Sequence, residues 1–127
     1  MILDTHILLW ILTDDPKLSS EIKLRITSSP NDIYYSPISI WEIMILEEKG
    51  RITLSNKTDD FYKNLGSALP FMEAPINTEI ARLSRTLEFN HADPADRFIA
   101  ATAFAYKMPL ATVDKLLTDL DWLETLS

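Results

Sequence analysis

Met1-Ile2-Leu3-Asp4-Thr5-His6-Ile7-Leu8-Leu9-Trp10-Ile11-Leu12 opens the chain, and the change of pattern inside it decides the fold class. Three apolar residues run into a carboxylate, as a short buried strand would. Beyond Asp4 the spacing changes: Leu8, Leu9 and Leu12 share one face of a helix over residues 5–12. The same corner returns near the other end, where Leu110-Ala111-Thr112-Val113 ends at Asp114. The spacing there predicts a strand over 109–113 and a short helix over 115–120.

Working inward, Asp15-Pro16 is expected to open a second helix with Leu18, Ile22 and Ile26 one turn apart, closed by Ser28-Ser29-Pro30-Asn31. Ile33-Tyr34-Tyr35 has strand character. Ser36-Pro37 starts a third helix that runs to Lys49 and stops at Gly50. A fourth helix is expected over 58–69, an extended piece over 71–76, and a fifth helix over 77–87 with Ile80, Leu83 and Leu87 in register. After a loop over 88–92, Asp93-Pro94 starts a sixth helix reaching Tyr106. Residues 122–126 form a last edge strand. Strands alternating with helices predict an α/β fold, a central mainly parallel sheet flanked by helices. Ligands of such sheets bind at the carboxyl ends of the strands. Asp4 and Asp114 both fall there, and Asp96 opens the helix that feeds the last parallel strand.

The 127 residues suffice for one domain, taken as 1–127, and 46% are hydrophobic, enough for a real core. No linker, repeat or low-complexity stretch divides them. A net charge of −7 argues against a broad basic surface for nucleic acid. It leaves room for a nuclease in which bound cations meet the phosphate, and it suits a basic partner. With no cysteine, disulfides, thiolate-held zinc and thiol catalysis are excluded. The apolar run from Ile7 to Leu12 is far short of a membrane span and lacks the basic flank of a signal peptide, so a cytoplasmic location is expected.

The candidate chemistry lies in four carboxylates: Asp4, Glu42, Asp96 and Asp114. Glu42 sits in Ile38-Ser39-Ile40-Trp41-Glu42-Ile43-Met44-Ile45-Leu46, apolar almost all round, where burying a charge is costly unless something binds it. Ser39-x-x-Glu42 also fits a capping box, although Pro37 at the first helical position would put Glu42 inside the helix. Asp93 suits a helix N-cap and Asp96 the third helical position, where a carboxylate meets the dipole. Asp96 also shares a face with Ile99, Ala100 and Ala103, small residues that let this helix approach the sheet. Asp4 and Asp114 each fit an N-cap. All four acids nevertheless occupy equivalent strand-to-helix corners. Gathered acids repel and raise one another's pKa unless a cation is bound, and hard oxygen ligands suit Mg²⁺ or Mn²⁺. Such an ion can orient a water and offset charge developing on a phosphate.

Other candidates by type are weaker. His6 is expected to pack in its apolar helix, and His91 lies in the loop before Asp93. Trp10, Trp41 and Trp122 suit core or interface positions. Arg97 and Lys115 adjoin the acids and could touch phosphate, with surface ion pairing as the simpler use.

Leu3-Asp4-Thr5-His6, Ser39-Ile40-Trp41-Glu42-Ile43, His91-Ala92-Asp93-Pro94-Ala95-Asp96-Arg97-Phe98-Ile99-Ala100-Ala101 and Leu110-Ala111-Thr112-Val113-Asp114 resemble, in order, the blocks of PIN-domain proteins. More closely they resemble the VapC-like toxins of type II toxin–antitoxin systems. The resemblance implies a PIN-like fold and a Mg²⁺- or Mn²⁺-dependent endoribonuclease of single-stranded RNA that leaves a 5′-phosphate. It makes Asp4, Asp96 and Asp114 metal ligands and gives Glu42 a metal or a water to orient. Asp93 becomes an extra acid behind the ligands or a cap, and Thr112 a hydroxyl that helps hold Asp114. It also implies a cognate VapB-like antitoxin and a homodimer. The short N-terminus departs from the family pattern; if residues are missing there, the first strand should be weakly held at its start. Two rival readings are a non-catalytic PIN scaffold and a receiver-like metal-binding signalling domain. The latter wants adjacent acids after the first strand, where Asp4 stands alone, and an acceptor aspartate mid-chain, where Glu73 offers a poor context.

Overall fold

The computed structural model describes residues 1–54, 69–90 and 92–127. The helix expected over 58–69, all but its last residue, and the loop histidine His91 lie outside the described residues.

Five two-residue strands pair side by side: β1 (Ile2–Leu3), β2 (Tyr34–Tyr35), β3 (Met72–Glu73), β4 (Leu110–Ala111) and β5 (Thr125–Leu126). Their order is β3-β2-β1-β4-β5, and every pairing is parallel, including the edge strand β5. The mainly parallel sheet expected is thus found, and among the described residues all of its pairings are parallel. This order also differs from the 2-1-3-4-5 arrangement of receiver-like domains, which removes that rival. The chain winds outward from β1 in both directions, so the carboxyl ends of β1 and β4 flank the switch point where such sheets place their ligands.

β1 is buried on both faces, as the central strand of a parallel sheet must be. Ile2 and Leu110 pack with Ile99, Ala100, Ala103 and Leu117 on one side. Leu3 and Ala111 pack with Ile7, Leu8, Ile22, Ile33 and Ile43 on the other. The start of β1 is well held: the Met1 amine donates to the Asp32 carbonyl at 2.7 Å, and the Tyr34 amide donates to the Met1 carbonyl at 2.9 Å. On the other side the Ile2 amide donates to the Pro109 carbonyl at 3.0 Å, so the start of β1 is paired to both neighbours.

Local chemistry sets the helix boundaries. α1 (Thr5–Thr13) is capped by Asp4 and ends where Asp14 takes a left-handed conformation, φ 52°. α2 (Ser20–Ser28) is capped by Ser19 and begins later than Asp15-Pro16 suggested. Asp15 instead closes a turn, its side chain accepting from the Lys17 amide and its carbonyl from Leu18. α3 (Pro37–Glu48) takes its cap from Ser36 with Pro37 at the first helical position, and Gly50 follows at φ 68°. α4 (Thr78–Thr86) is capped by Asn77, α5 (Pro94–Tyr106) by Asp93 and α6 (Lys115–Thr118) by Asp114. In α5, Ala100, Ala101 and Ala103 are buried; the small side chains of Ala100 and Ala103 pack in one cluster with Ile2 and Leu110 of the sheet.

Candidate metal centre

Asp4 is 3% exposed, a rare position for a carboxylate. It follows β1 directly and is fixed from three sides. Its amide donates to the Ala111 carbonyl at 3.0 Å, its Oδ1 accepts from the Thr5 amide at 2.8 Å, and its Oδ2 accepts from Thr112 Oγ1 at 2.6 Å. Burial pushes the Asp4 pKa up. The Thr112 and Thr5 hydrogen bonds and nearby His6 pull it back, and the charge of Asp114 adds to the rise.

Thr112 is more than the support for Asp114 expected of it. Its oxygen accepts from the Asp114 amide at 3.1 Å while its hydroxyl proton serves Asp4. Asp114 is the cap of α6, its Oδ1 accepting from the Leu116 amide at 3.0 Å. One threonine thus ties the ends of β1 and β4 together.

Glu42 enters from α3, inside the helix and half-buried. The capping-box alternative fails because Ser36 caps the helix, leaving Ser39 buried at its third position. Thr5 Oγ1 donates to Glu42 Oε1 at 2.5 Å and lies 2.9 Å from Ser39 Oγ. Burial pushes the Glu42 pKa up; the Thr5 hydrogen bond and His6 lower it, and the charges of Asp93 and Asp4 raise it.

Asp93 and Asp96 complete the cluster from α5. Asp93 is a cap, its Oδ1 accepting from the Ala95 amide at 3.0 Å. It also joins Glu42 and Asp96: each of the three offers an oxygen within 4.8 Å of the others. The five acids therefore form a chain. Asp114 acts on Asp4 and Asp4 on Glu42 through their charges, and Glu42 shares a small space with Asp93 and Asp96. All donors are hard oxygens, and neighbouring carboxylate charges add to the raised pKa values of Asp4 and Glu42, so the set could hold a divalent cation such as Mg²⁺ or Mn²⁺.

One expectation about a neighbouring residue changes. His6 is exposed rather than packed, because its place in the first turn of α1 turns it away from buried Thr5 and Ile7; it still acts electrostatically on Asp4 and Glu42. Trp41 is 53% exposed, which leaves the interface place of the two expected for it. Arg97 donates from Nε to the Ser84 carbonyl at 2.8 Å with its guanidinium 4.6 Å from the Phe89 ring. Lys115 pairs with Asp119 at 3.0 Å, as a surface ion pair. Thr5 and Ser39 were missed as members of the site. The signal available was the Asp4-Thr5 step at a strand-to-helix corner, but the partner of the Thr5 hydroxyl lies 37 positions away.

A doubly wound parallel sheet with carboxylates gathered at its switch point defines the class of domain. The PIN domain family model matches residues 1–123, and the chain belongs to the PIN domain family. Among curated proteins none matches its sequence. Among solved structures it is similar to a toxin–antitoxin complex from Klebsiella pneumoniae, with 21% identity, a TM-score of 0.67 and coverage of 99% of this chain and 95% of that one. It is likewise similar to FitAcB from Neisseria gonorrhoeae, with 20% identity, a TM-score of 0.68 and coverage of 99% and 96%. A third is VapBC2 from Rickettsia felis bound to a promoter DNA fragment, with 18% identity, a TM-score of 0.67 and coverage of 98% and 96%. At this identity the likeness is one of fold.

Proposed function

We propose that this chain is a Mg²⁺- or Mn²⁺-dependent endoribonuclease acting on single-stranded RNA, and the toxin of a type II toxin–antitoxin pair. The observation that carries the reading is the burial of Asp4 at the end of the central strand, within electrostatic reach of Glu42 and Asp114. A buried carboxylate beside other carboxylates is costly, and a cation-binding site gives that cost a purpose.

In this reading Asp4, Asp96 and Asp114 hold the cation, and Glu42 either joins them or orients the attacking water. When bound, the ion supplies Lewis acidity toward the phosphate and the water. The chain's own residues do the positioning. Thr112 fixes the rotation of Asp4 and the start of α6, Thr5 fixes Glu42, and Asp93 holds the first turn of α5 so that Asp96 faces the same space. Hydrolysis of the phosphodiester leaves a 5′-phosphate on one fragment.

An antitoxin partner is supported by the similar solved structures, which include a toxin–antitoxin complex and VapBC2. A VapB-like antitoxin that brings a basic segment would complement the net charge of −7. The toxin is proposed to be a homodimer in the cytoplasm; among the described residues no helix is long and apolar enough to cross a membrane.

The test is cleavage of a single-stranded RNA by purified protein with Mg²⁺ or Mn²⁺, comparing wild type with Asp4→Asn and Asp96→Asn. Cleavage that EDTA abolishes and both variants lose supports the reading. Equal cleavage in EDTA, or in both variants, sinks it. A protein that binds Mn²⁺ and its antitoxin but never cuts RNA would instead be a scaffold. Growth arrest on expression, relieved by the neighbouring gene, tests the toxin role.

A further inference from the structure

Threonines inside helices usually bond back to their own helix. Here Thr13 donates to the Leu9 carbonyl, Thr27 to Lys23 and Thr102 to Phe98. Thr5 differs because it occupies the first position of α1, where the helix offers no carbonyl four residues back. Its hydroxyl instead crosses to α3 and donates to Glu42 Oε1 at 2.5 Å. Its amide donates to Asp4 Oδ1 at 2.8 Å. One residue, 3% exposed, therefore holds an oxygen of each of two acids that enter from different elements.

We infer that Thr5 is the positioning residue that sets the placement of Glu42 against Asp4, and so joins the two halves of the acidic cluster. The inference rests on the metal-site reading above and extends it to a residue that touches neither cation nor substrate. A threonine carries a single hydroxyl proton. With that proton on Glu42, the 2.9 Å contact to Ser39 runs from the Ser39 hydroxyl to the Thr5 oxygen. Ser39, fully buried on the same face of α3 three positions before Glu42, thereby fixes the direction in which Thr5 donates. Anchoring one oxygen of Glu42 sets the rotation of its carboxylate and gives the other oxygen a defined direction. The β-branch of Thr5 restricts its first side-chain torsion, which a serine would leave freer.

Thr5→Val keeps the shape and removes the hydroxyl; Thr5→Ser keeps the hydroxyl. Mn²⁺ affinity is read by titration calorimetry without RNA, beside circular dichroism of each protein. Thr5→Val is expected to keep the wild-type spectrum and lose about tenfold or more in Mn²⁺ affinity, the usual effect of removing a group that orients a ligand. Thr5→Ser is expected to recover most of that loss. In the metal-free protein, Thr5→Val and Glu42→Leu should shift the unfolding midpoint non-additively, since each removes the same bond. Wild-type Mn²⁺ affinity in Thr5→Val, or additive shifts, overturns the role of Thr5 and leaves the nuclease reading standing. Wild-type protein that binds Mn²⁺ but spares RNA overturns the nuclease reading alone. Protein that takes up no Mn²⁺ overturns both. Should Thr5→Val fail to fold, Ser39→Ala carries the test, with a smaller loss of affinity expected and unchanged affinity counting against the network.

Discussion

Thr112 Oγ1 donates to Asp4 Oδ2 at 2.6 Å across a separation of 108 positions, fully buried between the two central strands. A buried hydrogen bond to a charged group contributes about 1.5–3 kcal/mol. Thr112→Val is therefore expected to lower stability by roughly that amount, measured by chemical denaturation at neutral pH. Thr112→Ser should retain most of it. An unchanged midpoint in the valine variant would mean that the bond is not formed in solution.

The raised pKa values of Asp4 and Glu42 predict a pH dependence for the metal-free protein. An acid whose folded pKa lies above its unfolded value keeps its proton longer in the folded state. Stability then falls as pH rises through the unfolded pKa toward the folded one. Wild type without metal should lose stability on going from about pH 4 to pH 7. Asp4→Asn should show a shallower fall, read from thermal midpoints across that range. An equal slope in the variant would show that Asp4 contributes nothing to it.

A divalent cation should reverse that loss. At a concentration about a hundred times its dissociation constant, a ligand bound only by the folded state adds about 2.7 kcal/mol. Mn²⁺ at neutral pH is expected to raise the wild-type midpoint and to leave Asp4→Asn nearly unmoved. A shift of equal size in both proteins would place the cation elsewhere.

Asp93 has two roles that substitution can separate. Serine caps a helix about as well as aspartate, so Asp93→Ser should fold with near wild-type stability. Losing a carboxylate beside Glu42 and Asp96, it should bind Mn²⁺ more weakly. Asp93→Ala should lose the affinity and, in addition, about 0.5–2 kcal/mol of stability from the missing cap. Wild-type affinity in the serine variant would leave Asp93 as a cap only.

The alanines of α5 set how closely the helix carrying Asp96 approaches the sheet. Ala100 is fully buried against a core that includes Ile2, Leu110 and Leu117. Ala100→Leu is expected to cost about 1–3 kcal/mol by overpacking and to weaken Mn²⁺ binding as Asp96 is displaced. Calorimetric unfolding and Mn²⁺ titration of the same sample would check both.

The sequence determined the parts whose causes are local. Apolar runs before Asp4 and Asp114 marked central strands, Ser36-Pro37 and Asp93-Pro94 marked helix starts, and Gly50 followed a helix end, because caps and periodicity act within a few residues. Asp15-Pro16 misled for the same reason: a turn and a helix start use the same residues. Glu42 stood out in sequence because its neighbours are apolar. Tertiary structure alone decided which groups meet. The parallel pairing of β1 with both β2 and β4 brings Thr112 to Asp4, and the packing of α1 against α3 brings Thr5 and Ser39 to Glu42. It also turned His6 outward and set Asp93 beside Asp96 and Glu42. Four carboxylates could be nominated from the chain one by one, three of them at helix starts and Glu42 inside an apolar helix. Their joining into one site depends on distances between residues that sequence spacing does not encode.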